Sequence, residues 1–434
     1  MNTIITSYIT DCMKERYEIL SSRILPCKKD LKNITVNNGF LLPVIKTDAR
    51  YMMGRGGVLD QEKRFIPLSG IYSGGNRITI LDDKVANPET YMGEGYDFDS
   101  SLVTDVIRDE AVYLGFIHNH WGHFLIDFST RLWFVKEISD KAKLVFIVKK
   151  GQEFSLIPNI KRFLELYGID HNRIIFVNKI TKFDKLIIPE PSYQSNTYYS
   201  EAYLRMFECV ANNAKYSSTY KNVYFSRGVF KKALTTEFGG DLIDSVFEKA
   251  GFVKIYPEKS SLDEQIGLIR GADIIAGVSG TVTHNMLFAR EGQKINIINK
   301  TYIMNTMQSD INIMKQLDAT YVDAYSAYYP VSLGIGPFLF ERTEQLAAFL
   351  KAEYNVDINY VHESTNNSKD AFKQYMKAYE RLAVNNYLKP FFDENEDSAH
   401  FYPWKLMGEA VKLHYQELHG KLRRRNILRK LLGR

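Results

Sequence analysis

The clearest hydrophobic pattern in the chain lies between residues 222 and 298, where short continuous apolar runs alternate with amphipathic stretches. Val223-Tyr224-Phe225, Phe252–Tyr256, Ile274-Ile275-Ala276 and Ile295–Ile298 read as strands buried on both faces. Between them, Asp241–Ala250, a stretch from Ser261 to about Arg270, and Thr281–Ala289 have helical period. Gly251 is a stop signal after the first helix, and Ser261 with Glu264 makes a capping box at the start of the second. An earlier stretch repeats the theme. Ala111–Ile117 reads as a strand, Trp121–Ile138 as a helix and Leu144–Val148 as a strand; Ile160–Tyr167 follows as a helix, then Ile174–Val177 and Leu186–Ile188 as strands. Apolar runs joined through helices predict parallel sheet, and two such modules predict two α/β halves facing a cleft at the C-terminal ends of their strands.

The flanks differ. Up to about residue 95, Gly-rich turns such as Gly54-Arg55-Gly56-Gly57 and Ser73-Gly74-Gly75-Asn76 separate short strand-like runs such as Arg77–Leu81. Toward the C-terminus, Ala371–Leu388 and Trp404–Leu418 are amphipathic helices. The predicted division is a β-rich segment 1–105, a first Rossmann-like domain 106–205, a second 206–330, and a helical region 331–434 with a basic tail.

Composition changes this picture in two places. The formal charge of +5 is concentrated in the last 14 residues, which hold seven Lys or Arg and no acid, so the remainder is close to neutral and does not suggest nucleic-acid binding. The tail 421–434 interleaves those basic residues with Leu and Ile, which suits peripheral contact with an anionic membrane surface. The three cysteines form no metal-ligand pattern, no basic leader precedes an apolar run, and no apolar run reaches the roughly 18 residues of a membrane span. A cytoplasmic location, peripheral at the inner face of the cell membrane, is the expectation.

Candidate chemistry falls in three stretches. In His118–Trp133, the spacing of His123, Asp127 and Arg131 makes a polar stripe on a helix, opposite an apolar stripe of Phe124, Leu125, Phe128 and Leu132. A His and a carboxylate at the cleft end of such a helix could take a proton from a hydroxyl. The structural alternative is a surface Asp127–Arg131 ion pair with His123 as a cap. In Ser226-Arg227-Gly228 and the following Lys231-Lys232, basic groups after a strand could bind phosphates. In Gly277-Val278-Ser279-Gly280-Thr281, a strand turns into a helix whose first N–H groups suit an anion. Asp97-Phe98-Asp99 has the form of a cation-binding pair but sits in an apparent loop among glycines, so no metal or other cofactor is expected.

Together these stretches resemble glycosyltransferase family 61, the capsular-polysaccharide type, over roughly residues 110–300. The resemblance rests on His123 through Leu132, on Ser226, Arg227, Lys231, Lys232 and Glu237, on Pro257, Glu258, Ser261, Leu262 and Gln265, and on Ala272, Gly280 and Asn285–Phe288. The chain departs from the family pattern at Ser279, where His is usual, at Lys231 and Lys232, where Arg is common, and at Thr236, where Asn precedes the Glu. The resemblance implies a GT-B architecture and an inverting, metal-independent transfer of a sugar from a nucleotide-sugar donor to a glycan or lipid-linked glycan in capsule or lipopolysaccharide assembly. The expected roles follow. Asp127, paired with His123, takes the acceptor proton; Arg227, Lys231 and the turn Ser279–Thr281 hold phosphates; Glu258 bonds a ribose or sugar hydroxyl; Glu237, Asn285 and Arg131 complete the substrate-binding set. A non-catalytic nucleotide-sugar or glycan-binding subunit of a polysaccharide assembly complex is the alternative. A glycoside hydrolase ranks last, because the stripe offers a single carboxylate.

Overall fold

A computed structural model describes residues 4–46, 54–70, 72–73, 76–77, 99–325, 336–358 and 366–378. The expected helix Trp404–Leu418, most of Ala371–Leu388, the run Ile78–Leu81, Asp97 and the tail 421–434 lie outside the described residues.

Two open sheets carry the chain. In the first, the strands run in the order Gly54–Leu59, Asn33–Lys46, Thr181–Pro189, Ala111–Phe116, Lys143–Ile147 and Ile174–Val177, with Val106–Ile107 beside Thr181–Pro189. The last three pair in parallel as the buried apolar runs predict. Asn33–Lys46 is antiparallel to both of its neighbours, so the β-rich leading segment extends this sheet. Gly54–Gly57, expected to be a turn, opens a strand instead. Gly56 lies so close to Val44 and Pro43 that an added Cβ would come within 3.0 Å of the Val44 side chain, at the point where the register of the two strands shifts.

The second sheet is wholly parallel, ordered Ile4–Tyr8, Asp318–Asp323, Lys294–Asn299, Ile274–Val278, Asn222–Phe225 and Val253–Ile255. After the edge strand Ile4–Tyr8, the path resumes at Asn222–Phe225, steps outward to Val253–Ile255, then returns to the other side of Asn222–Phe225. That reversal is a topological switch point, which opens a crevice past the ends of Asn222–Phe225 and Ile274–Val278. The residues immediately after those two ends are Ser226-Arg227 and Ser279-Gly280.

The helices sit where their patterns place them. Pro158–Leu166, Gly240–Lys249 and Leu262–Gly271 bury their apolar faces, and both bonds of the Ser261–Glu264 capping box form. The segment expected as one helix, Trp121–Ile138, is broken. One α-turn, Trp121–His123, passes into a π-turn, Phe124–Phe128, and then a 3-10 turn, Leu132–Lys136. A continuous apolar core joins the two sheets; Phe163 and Phe207 meet Phe288 with ring centroids 6.2 and 5.4 Å apart. Bidentate bonds from Arg162 to Asp263, 2.7 and 3.0 Å, tie the same joint from outside.

Candidate active site

A cavity of about 580 Å³ opens at the switch point, with walls from both halves of the chain. The first half contributes Asn119 to His123; the second contributes Arg227, Lys232, Glu237, Glu258, Gly280, Thr281, Lys300 and Asn305, among others. The two halves touch at Gly122, where a Cβ would lie 2.8 Å from Thr281 Oγ1, so a glycine is needed for this approach.

On the first wall, His123 donates from Nδ1 to Asp127 Oδ2 at 2.7 Å. Four-residue spacing across the π-turn still brings the two together, as the stripe predicts. Asp127 is nearly buried, its side chain 4% exposed against 24% for His123. The imidazole faces the large cavity, whereas Asp127 lines a small neighbouring cleft with Thr130 and Arg131. The third member of the stripe goes elsewhere. Beyond the π-turn the helical pitch changes, and Arg131 is buried, donating to the carbonyls of Leu68, Gly70 and Pro189. It secures the leading segment to the core. His120 accepts the His123 N–H at Nδ1, 3.2 Å away, and so caps the first turn. Burial, with the neighbouring His123 second, pushes His120 down to about 4 and His118 to about 3, so these two flanking imidazoles are neutral at physiological pH.

On the opposite wall the Ser-Arg turn is rigid. Ser226 donates to Asp244 and accepts from the Gly228 N–H, which fixes the turn that presents Arg227. Arg227 Nε donates to Glu237 Oε2 at 2.9 Å, and Lys300 Nζ donates to Glu237 Oε1 at 2.8 Å. Glu237 is thus the shared carboxylate of a buried triad with one net positive charge. Lys300 and Arg227 hold its pKa below the ordinary glutamate range even though burial opposes them. For Lys300, burial outweighs the partner and lowers its pKa. The Lys300 ammonium also lies 4.3 Å from the Phe338 ring centroid. Lys232 reaches the cavity; Lys231 is exposed and does not line it.

Glu258 stands at the rim on the turn Pro257–Lys259, its carboxyl raised by partial burial, with the Arg227 charge acting in the opposite direction. Ser279 is buried and its N–H is bonded to the Ile298 carbonyl, so it is not one of the N–H groups open to a ligand. Gly280, at φ +144, and Thr281 line the cavity. Asn285 also lines it, but its amide is committed on both sides. It accepts from Trp121 Nε1 at 2.8 Å and donates to Gln265 Oε1 at 3.0 Å, while Gln265 donates to the carbonyls of Pro257 and Ser260.

Among the cavity residues that escaped the sequence reading are His284, Lys300 and Asn305. Lys300 follows a strand end without any motif, and its partner Glu237 is 63 residues away. His284 carried a signal, a polar residue on an otherwise apolar helix face.

A second cavity, about 510 Å³, lies behind the Arg227–Glu237 wall and includes Tyr224, Asp244 and Tyr256, with Asp370 and Gln374 from the helix Asn366–Ala378. Among the described residues no group of three or more His, Cys, Asp or Glu is arranged to hold a metal ion, and no helix is long and apolar enough to cross a membrane. Asp99 accepts from the N–H and hydroxyl of Ser101, capping a short turn.

No curated protein matches the chain. Residues 121–296 match the family model Glycosyltransferase 61, a stretch that runs from the first residue of the histidine turn through the Ser-Arg turn to the strand before Lys300. The chain carries a glycosyltransferase family 61 domain and is a glycosyltransferase.

Proposed function

We propose that the enzyme moves a sugar from a nucleotide-sugar donor to a glycan or lipid-linked glycan acceptor, with inversion and without a metal ion. One observation carries this reading: a carboxylate-held imidazole faces a buried basic triad across a single cavity. With Nδ1–H bonded to Asp127, Nε2 is the basic nitrogen of His123. It takes the acceptor hydroxyl proton as the acceptor oxygen bonds to the anomeric carbon and the bond to the leaving diphosphate breaks. Asp127 orients the imidazole and stabilises it once protonated, so the base is His123 and the carboxylate acts through it. Arg227, Lys300 and Lys232 neutralise the charge that develops on the diphosphate, the task a divalent cation performs elsewhere. Fixed cations in a partly dry cavity act more strongly on that charge than they would in water.

The two sheets are read as the halves of a GT-B architecture, acceptor side first and donor side second. The cavity at the switch point of the second sheet supports that assignment. Surface-polysaccharide assembly at the inner face of the membrane is the pathway the family resemblance favours, and the basic tail 421–434 supports the location.

The test is a panel of nucleotide sugars with a glycan acceptor, scoring nucleotide release and product stereochemistry by NMR. Inverted product, formed by the wild type and lost in His123→Ala, is expected. Retained configuration, or turnover that does not depend on His123, would overturn the reading.

A further inference from the structure

His284 takes no part in the chemistry above, yet it lies on the cavity wall, 5% exposed. Its hydrogen bonding leaves one atom unaccounted for. Asn305 caps the helix Thr306–Met314 by accepting the Gln308 N–H at its Oδ1, so its amide nitrogen is the end that meets His284 Nε2, 3.1 Å away. Nε2 therefore accepts. Burial first, then the nearby His123, pushes the imidazole down to about 4, so the ring is neutral and its one proton resides on Nδ1. That Nδ1–H is buried and has no hydrogen-bond partner among the described residues.

A buried donor without an acceptor is destabilising, and native structures rarely keep one without use. The surroundings indicate what completes it. His284 is one helical turn beyond Gly280, on the same face, and a Cβ at Gly280 would lie 4.0 Å from the Lys300 ammonium. Lys300 and Asn305 belong to one connection between the strand Lys294–Asn299 and the helix Thr306–Met314. The histidine is thus held by the same loop that supplies a cation of the triad.

We infer that His284 is a substrate-binding residue whose Nδ1–H donates to a phosphate oxygen of the diphosphate held by Arg227 and Lys300. A neutral donor of this kind adds direction to the site without adding charge, and Asn305 fixes the tautomer that makes it a donor. The inference rests on the proposed diphosphate site, and its test separates the two.

Pyrophosphate is titrated calorimetrically into wild type, Arg227→Ala, His284→Gln and His284→Asn, with melting temperatures measured in parallel. The Gln amide reaches the position of Nε2 and retains the bond to Asn305 but removes the Nδ1 donor; the Asn amide reaches the position of Nδ1. His284→Gln should weaken pyrophosphate at least ~10-fold, the scale of one lost hydrogen bond to a charged group. Its melting temperature without ligand should not fall, because no bond of the unbound protein is lost. His284→Asn should bind within about threefold of wild type even if less stable, since it keeps the donor and loses only the Asn305 contact. If Arg227→Ala weakens pyrophosphate while both His284 variants bind as wild type, this inference falls and the diphosphate site stands. A His284→Gln protein that melts lower yet binds normally would also refute it, by making the histidine structural. If wild type itself does not bind pyrophosphate, both readings fall together.

Discussion

Trp121 donates its indole N–H to the Asn285 carboxamide oxygen, 2.8 Å away, bonding the histidine turn directly to the half of the chain that carries the basic triad. Asn285 passes the constraint to Gln265, which holds the carbonyls on either side of the turn bearing Glu258. Asn285 and Gln265 are each 2% exposed, and the bond between them at the centre of this relay is buried. Trp121→Phe keeps the ring packing and removes one N–H, leaving the Asn285 oxygen buried without that donor at a cost of ~1–3 kcal/mol. The expected signature is a lower turnover number with pyrophosphate affinity unchanged by calorimetry. Unchanged turnover would mean that the relay holds the fold and not the register of His123.

His123→Ala should reduce transfer by roughly 100-fold or more, within the usual contribution of a positioned acid–base group. Asp127→Asn should also reduce it, because the amide no longer stabilises the protonated imidazole. Donor binding, followed by thermal shift, should persist in both variants.

Glu237→Gln leaves Arg227 and Lys300 buried without their shared carboxylate and should destabilise the protein by about 3–5 kcal/mol at neutral pH. The pH dependence has a definite sign. The folded-state pKa of Glu237 lies below its ordinary value of 4.5. Its stabilising contribution is therefore complete above that value and is lost as pH falls through the lowered folded-state pKa. Denaturant melts of wild type and variant should converge below pH 4.5 and diverge above it. A constant gap across that range would place the stabilisation elsewhere.

Turnover should survive EDTA, and Asp99→Ala should be as active as wild type, since Asp99 caps its own turn. Loss of activity on chelation, restored by Mg²⁺ or Mn²⁺, would show that a cation does the work assigned here to Arg227 and Lys300.

Truncation after residue 420 should abolish co-sedimentation with anionic liposomes and leave activity on a soluble acceptor unchanged. Each basic residue near an anionic leaflet contributes about 1 kcal/mol, so losing seven is readily measured. Equal sedimentation of both proteins would remove the membrane from the account.

Local signals in the sequence carried well. The strands at 222–225 and 274–278, the capping box at Ser261 and the His123–Asp127 contact all follow from period, caps and four-residue spacing. Features made by pairing distant segments did not. No period in the sequence announces that Lys300 meets Glu237, or that Asn285 bridges Trp121 and Gln265. The π-turn was hidden for another reason: Trp121–Ile138 has ordinary helical periodicity, and its break reflects tertiary contacts. Foremost among these are the three carbonyls that draw Arg131 inward. That contact removed one member of the expected stripe and left the other two in place.

The strand Ile4–Tyr8 closes the edge of the second sheet, pairing in parallel with Asp318–Asp323, and Thr10 bonds Asp323 across 313 residues of chain. On the ribosome this strand emerges long before its partner and has no sheet of its own to join. Until it docks, Asp318–Asp323 presents an open row of N–H and C=O groups, the kind of edge that recruits other chains. Assembly of the second sheet is therefore a non-local event that waits on about three quarters of the polypeptide, and such pairings are slow. The same geometry limits dissection of the protein: a fragment starting at residue 100, however well its own elements fold, carries that bare edge into solution.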